Sequence, residues 1–270
     1  MLQQANMNLL VIKIGGSLIT NRDQYRTPLI DGMNKHAQAL ALWQERYRCK
    51  NSTPMLLILG GGSYGHHVVQ HHRLDSEGVH RRPNEVFELT AALFELKTMF
   101  AKAMQQHGLS AMPLQETGLF SCHRGFLRLE YSAPLYACIQ SGFIPLITGG
   151  LMVEQGGSFL PIGSDRLAIP LASSFHLQRV AVITDQPGIL QGGAVIKNVR
   201  PHQFDQVFEN IRPPTKLDVT GGMRGKYSAA IEMAYLGVET VIAGTPEITP
   251  EWLESLFDSS PPGTLVEAAS

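Results

Sequence analysis

Short apolar runs rich in β-branched residues alternate along the chain with longer stretches whose apolar residues recur every three or four positions. That alternation predicts strands and helices around a mostly parallel central sheet, an open αβα sandwich of the α/β class. Strands are predicted at 9–14, 55–59, 144–147, 180–184 and 239–243, each a near-continuous apolar run suited to burial on both faces. The clearest helix spans 85–106, where Leu89, Leu93, Leu96, Phe100 and Ala103 fall on one face. Asn84, after Pro83, is placed to cap its start, Glu85 and Glu88 suit the positive end of its dipole, and Gly108 is placed to end it. Its Phe and Met residues read as core. Segments 73–83, 186–193 and 212–225, rich in charge, proline or glycine, read as exposed loops.

Composition sharpens this picture. With 44% hydrophobic and 17% charged residues, 270 residues bury a large core as one α/β domain or two joined lobes. A formal net charge of -1 gives no overall attraction to nucleic acid or to an anionic membrane, so any anion must be held by a local pocket. Cys49, Cys122 and Cys138 lack CxxC or metal-type spacing and read as free thiols in a reducing compartment. The pairs His66-His67 and His71-His72 have no cysteine partner or HExxH pattern, so they read as loop and helix surface and no protein metal site is predicted. The opening MLQQANMN carries neither a basic start nor a long apolar run, which predicts a cytoplasmic enzyme without signal peptide or membrane anchor.

Three glycine loops carry the chemistry. The first predicted strand runs into Lys13-Ile14-Gly15-Gly16-Ser17, placing a lysine just before two residues that let backbone amides approach a ligand. A lysine in a buried strand needs a partner, and a multiply charged anion would supply one; the competing reading is an ordinary turn with Lys13 reaching solvent. The second strand runs into Gly60-Gly61-Gly62-Ser63-Tyr64-Gly65-His66, too glycine-dense for a stable helix start unless its backbone does the binding. Its consecutive amides can form an anion nest, it lacks the GK[ST] ending of a P-loop, and His66 can donate to whatever the nest holds. The third is Asp218-Val219-Thr220-Gly221-Gly222-Met223-Arg224-Gly225-Lys226, opening a helix with Lys226 near its N-terminus. A cation there opposes the helix dipole, which a bound anion would explain.

Together these elements, with Gly163-Ser164-Asp165 and Thr184-Asp185-Gln186-Pro187-Gly188, resemble the amino-acid-kinase superfamily, and within it the isopentenyl phosphate kinases and fosfomycin kinases. They occur in family order from end to end. The resemblance implies an N-terminal lobe (1–177) that binds a phosphate acceptor and a C-terminal lobe (178–270) that binds ATP with Mg2+. It implies catalytic roles for Lys13, His66, Asp165 and Lys226, with Asp165 orienting the lysines. ATP contacts are implied for Lys13, Gly15, Gly16, Ser17, Arg22, Asp185, Gly188, Gly222 and Lys226. Acceptor contacts are implied for Gly16, Gly60, Gly61, Gly62, Gly65, His66, Gly163 and Ser164. A small phosphate or phosphonate is the implied partner, without nucleic acid or membrane, and a homodimer the implied assembly.

Three positions depart from the pattern. Arg22 stands where a second lysine is usual, Thr148-Gly149-Gly150 replaces Gly-Asp and removes a carboxylate near the acceptor, and Gln186-Pro187 interrupts Asp-Val-Asp-Gly. Isopentenyl phosphate would need an apolar wall, for which Phe87, Leu93 and Phe94 are candidates. Fosfomycin would need a smaller, more polar pocket, and Gly163-Ser164-Asp165-Arg166 with Pro113-Leu114-Gln115 is similar to the fosfomycin kinases. A non-catalytic binding protein on the same fold is the reading from another class.

Overall fold

The computed structural model describes residues 7–48, 53–74, 82–154, 157–211, 213 and 221–269. Cys49, the stretch 218–220 of the third glycine loop and the centre of the predicted loop 73–83 lie outside the described residues. In chain order the strands are β1 (Leu10–Ile14), β2 (Met55–Leu59), β3 (Ala111–Pro113), β4 (Phe120–His123), β5 (Phe126–Leu129), β6 (Ile144–Thr148), β7 (Gly150–Glu154), β8 (Phe159–Ile162), β9 (Arg179–Ile183), β10 (Leu190–Gln191), β11 (Ala194–Val195), β12 (Asn198–Val199), β13 (Glu239–Ala243) and β14 (Thr264–Val266). The helices are α1 (Gly16–Ile19), α2 (Ile30–Arg48), α3 (Gly62–His72), α4 (Pro83–Gln106), α5 (Ala133–Gln140), α6 (Ala168–Leu171), α7 (Phe204–Asn210), α8 (Gly222–Tyr235) and α9 (Pro250–Ser255).

Eight strands form one sheet in the order β12-β14-β13-β9-β1-β2-β6-β3, parallel at every pairing except β13 with β14. All five strands expected from the sequence lie in it. Successive side chains of a strand face opposite ways, so one run feeds two cores. Ile12, Ile14, Leu57 and Leu59 pack under α2, α3, α4 and α9, while Val11, Leu56 and Ile58 pack under α5, α6, α7 and α8. Helix layers on both faces give the αβα sandwich, and each fully buried leucine or isoleucine contributes about 1.5 to 3 kcal/mol. A second sheet, β5-β4-β7-β8, leaves the first directly after β6 and folds its β7–β8 hairpin back over the sheet's C-terminal edge.

Two local expectations need correction. Helix α4 begins at Pro83, two residues earlier than its periodicity indicates, and Asn84 lies inside the first turn with no side-chain cap. Proline has no N–H to satisfy at a first helical position, so it starts the helix without a cap acceptor. The glycine-dense stretch after β2 does open a helix. Gly62 adopts φ +48°, and the carbonyl of Gly61 accepts from the amides of Tyr64 and Gly65 at 3.0 Å each.

Candidate active site

β1 is followed in sequence by β2 on one side of it and flanked on the other by β9, so the chain reverses direction across the sheet at β1. Crevices at such a point, outside the carboxyl ends of parallel strands, are where open α/β sheets bind ligands. A cleft of about 410 Å³ opens there, beyond the ends of β1, β2, β6 and β9. The loops after β1, β2 and β6 supply Gly15, Gly16, Gly60, Gly61, Gly62, Gly149 and Gly150 to its lining.

Contact between loops accounts for several of these glycines. A Cβ on Gly16 would stand 2.4 Å from the Gly62 nitrogen, and one on Gly60 2.3 Å from the Gly16 nitrogen. The first two loops therefore cross backbone to backbone, at separations no side chain allows. Thr20 fastens the crossing: its hydroxyl donates to the Gly16 carbonyl at 2.8 Å and accepts from the Ser63 amide at 3.0 Å. Ser63 in turn accepts from the amide of Thr27 at 3.2 Å.

Lys13 points to the same face as Val11, toward α8, and its ammonium lies 2.7 Å from Oδ1 of Asp165. Lys226, on the second turn of α8, approaches Oδ2 of the same carboxylate at 3.5 Å and the Gly222 carbonyl at 3.3 Å. The competing reading of Lys13 as a solvent-reaching side chain is overturned, because the side chain is 4% exposed and that of Asp165 7%. Burial pushes the Asp165 carboxyl up, but the two ammonium groups outweigh it and hold it below the ordinary carboxylate range. Two cations on one carboxylate leave a surplus positive charge inside the cleft.

Of the other predicted residues, Ser17, Arg22, Gly65, His66, Gly163 and Ser164 line the cleft with Lys13, Asp165 and Lys226. Asp185, Gly188 and Gly222 do not. Asp185 stands at the mouth, where Arg22 reaches it at 3.3 Å and the Thr184 hydroxyl donates to it at 3.1 Å. Gly188 packs against Thr264 and Val195, which leave no room for a Cβ. His67, which the sequence reading left on the surface, also lines the cleft, and its Nε2–H donates to the Arg22 carbonyl at 2.5 Å. Among the described residues no group of three or more His, Cys, Asp or Glu is arranged to hold a metal ion.

One end of the cleft is apolar, formed by Val69, Leu89, Leu93, Pro161 and Ile162. Leu93 is its centre: its Cδ2 would touch a Cβ on Gly61 at 3.1 Å and one on Gly65 at 3.8 Å, its Cδ1 one on Gly150 at 3.6 Å. Phe87 and Phe94, expected as walls or as core, are neither. They are 66% and 43% exposed on the outer side of α4. Pro161 and Ile162 were missed because β8 is a short strand whose place over the cleft depends on the pairing of β7 with β8, a tertiary fact. Val69 lies between the two histidine pairs on α3, a stretch read as loop and helix surface.

An open α/β sheet with a cationic, glycine-walled cleft at its switch point defines a phosphate-handling protein of the doubly wound class. The chain belongs to the amino acid kinase family, whose sequence pattern matches residues 8–244, and it is a phosphotransferase. The relatives it is similar to include isopentenyl phosphate kinases and acetylglutamate kinases. It is 28% identical over 262 residues to an isopentenyl phosphate kinase of Haloferax volcanii, covering 96% of this chain and 99% of that one. Over 252 residues it is 25% identical to an isopentenyl phosphate kinase of Methanothermobacter thermautotrophicus, covering 87% and 90%. The fold superposes on a crystal structure of isopentenyl phosphate kinase with a TM-score of 0.75, at 19% identity, covering 96% of this chain and all of that one. Among the described residues, no helix is long and apolar enough to cross a membrane.

Proposed function

We propose that the protein transfers the γ-phosphoryl group of ATP to a small phosphate monoester, with isopentenyl phosphate as the preferred acceptor and isopentenyl diphosphate as product. The observation that carries this reading is the pair Lys13 and Lys226 on Asp165, in a cleft with a glycine-walled, anion-binding part and an apolar part centred on Leu93. The acceptor phosphate sits against the backbone of Gly60, Gly61, Gly62 and Gly65 with His66 as donor, and Gly16, Gly163 and Ser164 close the site. Its hydrocarbon tail lies along Val69, Leu89 and Leu93. The nucleotide enters from the β9 side, across Gly15, Ser17, Arg22 and Asp185, with Gly188 and Gly222 shaping the loops behind it. In this arrangement residues 1–177 hold the acceptor, and 178–270 hold the nucleotide together with Gly15, Ser17 and Arg22.

Lys13 and Lys226 bear the charge that spreads over the transferring group, and Asp165 keeps both ammonium groups aimed at it. Such transfer depends on positioning and charge stabilisation more than on covalent chemistry, and an ionised phosphate acceptor needs no strong general base. Asp165 and Asp23 are the carboxylates on the lining, and Asp165 is already matched by two lysines. The described residues therefore offer no cage for Mg2+, which would arrive on the nucleotide's phosphates and neutralise charge there.

An apolar end favours a hydrocarbon tail over the small polar body of fosfomycin. The test is ADP release from ATP with a panel of alkyl phosphates, isopentenyl phosphate and fosfomycin. The expected order places isopentenyl phosphate first; faster turnover of fosfomycin would reverse the acceptor, and silence across the panel would favour a non-catalytic binder.

A further inference from the structure

Beneath the apolar end lies an ion pair that the phosphoryl chemistry does not use. Lys97 on α4 and Glu116 in the turn after β3 are 0% and 3% exposed, and the ammonium donates to both carboxylate oxygens at 2.8 Å. Lys97 also donates to the carbonyl of Leu114. Burial pushes the lysine down and the carboxyl up, against the pull of each on the other. Isolating two charges from water is unfavourable, and apolar residues of equal volume hold a core at least as well, so stability alone does not explain the pair.

What the pair touches suggests its use. Oε1 of Glu116 accepts from the buried amide of Thr148 at 2.6 Å, the last residue of β6 before Gly149 and Gly150 enter the cleft. The hydroxyl of Thr148 donates at 2.8 Å to the carbonyl of Leu59, the residue before Gly60. One helical turn before Lys97, Leu93 packs over Gly61, Gly65 and Gly150. A continuous buried chain thus runs from α4 through Lys97, Glu116 and Thr148 to both glycine loops that border the apolar end.

We infer that Lys97 and Glu116 are positioning residues that fix the gap between Leu93 and the Gly60 and Gly150 loops, and so set the acceptor tail that the cleft admits. The inference rests on the acceptor reading given above. An aliphatic pair could fill the same volume but could not hold the Thr148 amide, so the loop after β6 would settle at another distance from Leu93. A carboxamide at position 116 retains an oxygen for that amide.

The experiment compares Lys97→Met/Glu116→Leu with Lys97→Met/Glu116→Gln, both free of buried charge. In the Leu variant, KM for isopentenyl phosphate should rise about tenfold, the scale of one lost buried hydrogen bond. KM for ATP should hold, and the preference among alkyl phosphates of different length should flatten. The Gln variant should keep the wild-type preference. Hydrogen exchange at the amides of 148–150 should quicken in the Leu variant only, a readout independent of any acceptor. Wild-type preference and exchange in a folded Leu variant would overturn the inference, as would a shifted preference in the Gln variant, which also decides the matter if the Leu variant does not fold. Failure of the wild-type protein to use any phosphate ester would instead overturn the functional reading, leaving the exchange comparison to judge the positioning role.

Discussion

Lys13 and Asp165 meet at 2.7 Å across the end of β1, almost wholly out of water, so the lysine proposed to neutralise substrate charge also neutralises a buried carboxylate. Removing it does two things at once. Lys13→Ala should cut turnover about a hundredfold or more, the scale of losing a preorganised electrostatic group. It should also lower stability by about 1.5 to 3 kcal/mol, because Asp165 loses the shorter of its two charged hydrogen bonds but keeps Lys226. Lys226→Ala should show the kinetic loss with a smaller drop in melting temperature, since its contact with Asp165 is longer, at 3.5 Å. Steady-state kinetics and thermal denaturation on both variants check this; near-wild-type turnover in both would sink the mechanism.

The same carboxylate gives the protein an acid limb. The Asp165 pKa is lower folded than unfolded, so the folded state binds fewer protons there. Its stabilising contribution is complete above the unfolded value and is lost as pH falls through the lowered one. In Asp165→Asn, the fall in melting temperature between about pH 6 and about pH 3 should be shallower than in wild type. Parallel curves would show that Asp165 does not set this limb.

His66 tests the anionic end. His66→Ala should raise KM for the acceptor far more than KM for ATP, and His66→Asn, which keeps a donor, should retain more activity than Ala. A collapse of ATP affinity with an unchanged acceptor constant would move His66 to the other substrate.

Leu93→Ala should admit longer alkyl phosphates while costing about 2 to 5 kcal/mol for the cavity it leaves. Phe87→Ala, on the outer face of the same helix, should change stability by no more than about 0.5 kcal/mol and leave chain-length preference alone. Preference measured on both variants separates wall from surface; a shift with Phe87→Ala and none with Leu93→Ala would contradict the geometry.

Cys122 and Cys138 are buried and unpaired, and burial pushes the Cys138 thiol up to about 11. The thiolate, the reactive form, is scarce at Cys138, and Cys122 is closed off by burial, so neither should label with an alkylating reagent at neutral pH until the chain unfolds. Peptide mapping after labelling under native conditions would detect the contrary result.

The strands were legible because a parallel strand buried on both faces is a continuous apolar run, and 55–59 and 239–243 match the observed strands to the residue. The glycine loops were legible as candidate binding elements, although Gly16, Gly60 and Gly62 also answer to a crossing of two backbones. Leu93 and Phe94 show the limit. They are neighbours in sequence and about 100° apart around the helix, and only the docking of α4 decides which one faces the cleft. Lys97 and Glu116 lie 19 positions apart with no motif to join them. A buried ion pair is created by the fold, and an isolated charge on a helix otherwise reads as solvated surface.

The unbroken main sheet also governs how the enzyme can breathe. β1 is hydrogen-bonded to β2 on one side and to β9 on the other, with five and four residues in register. Swinging the two ends apart like the leaves of a book would disrupt these ladders, so the sheet opposes a hinge between them. The parts that border the cleft without belonging to this sheet are the β7–β8 hairpin, which carries Pro161 and Ile162, and the turn that brings Arg22 to Asp185, and these are the expected places for movement. A covalent tether between neighbouring strands of the sheet should therefore leave turnover untouched, whereas one that anchors the hairpin should slow release of product.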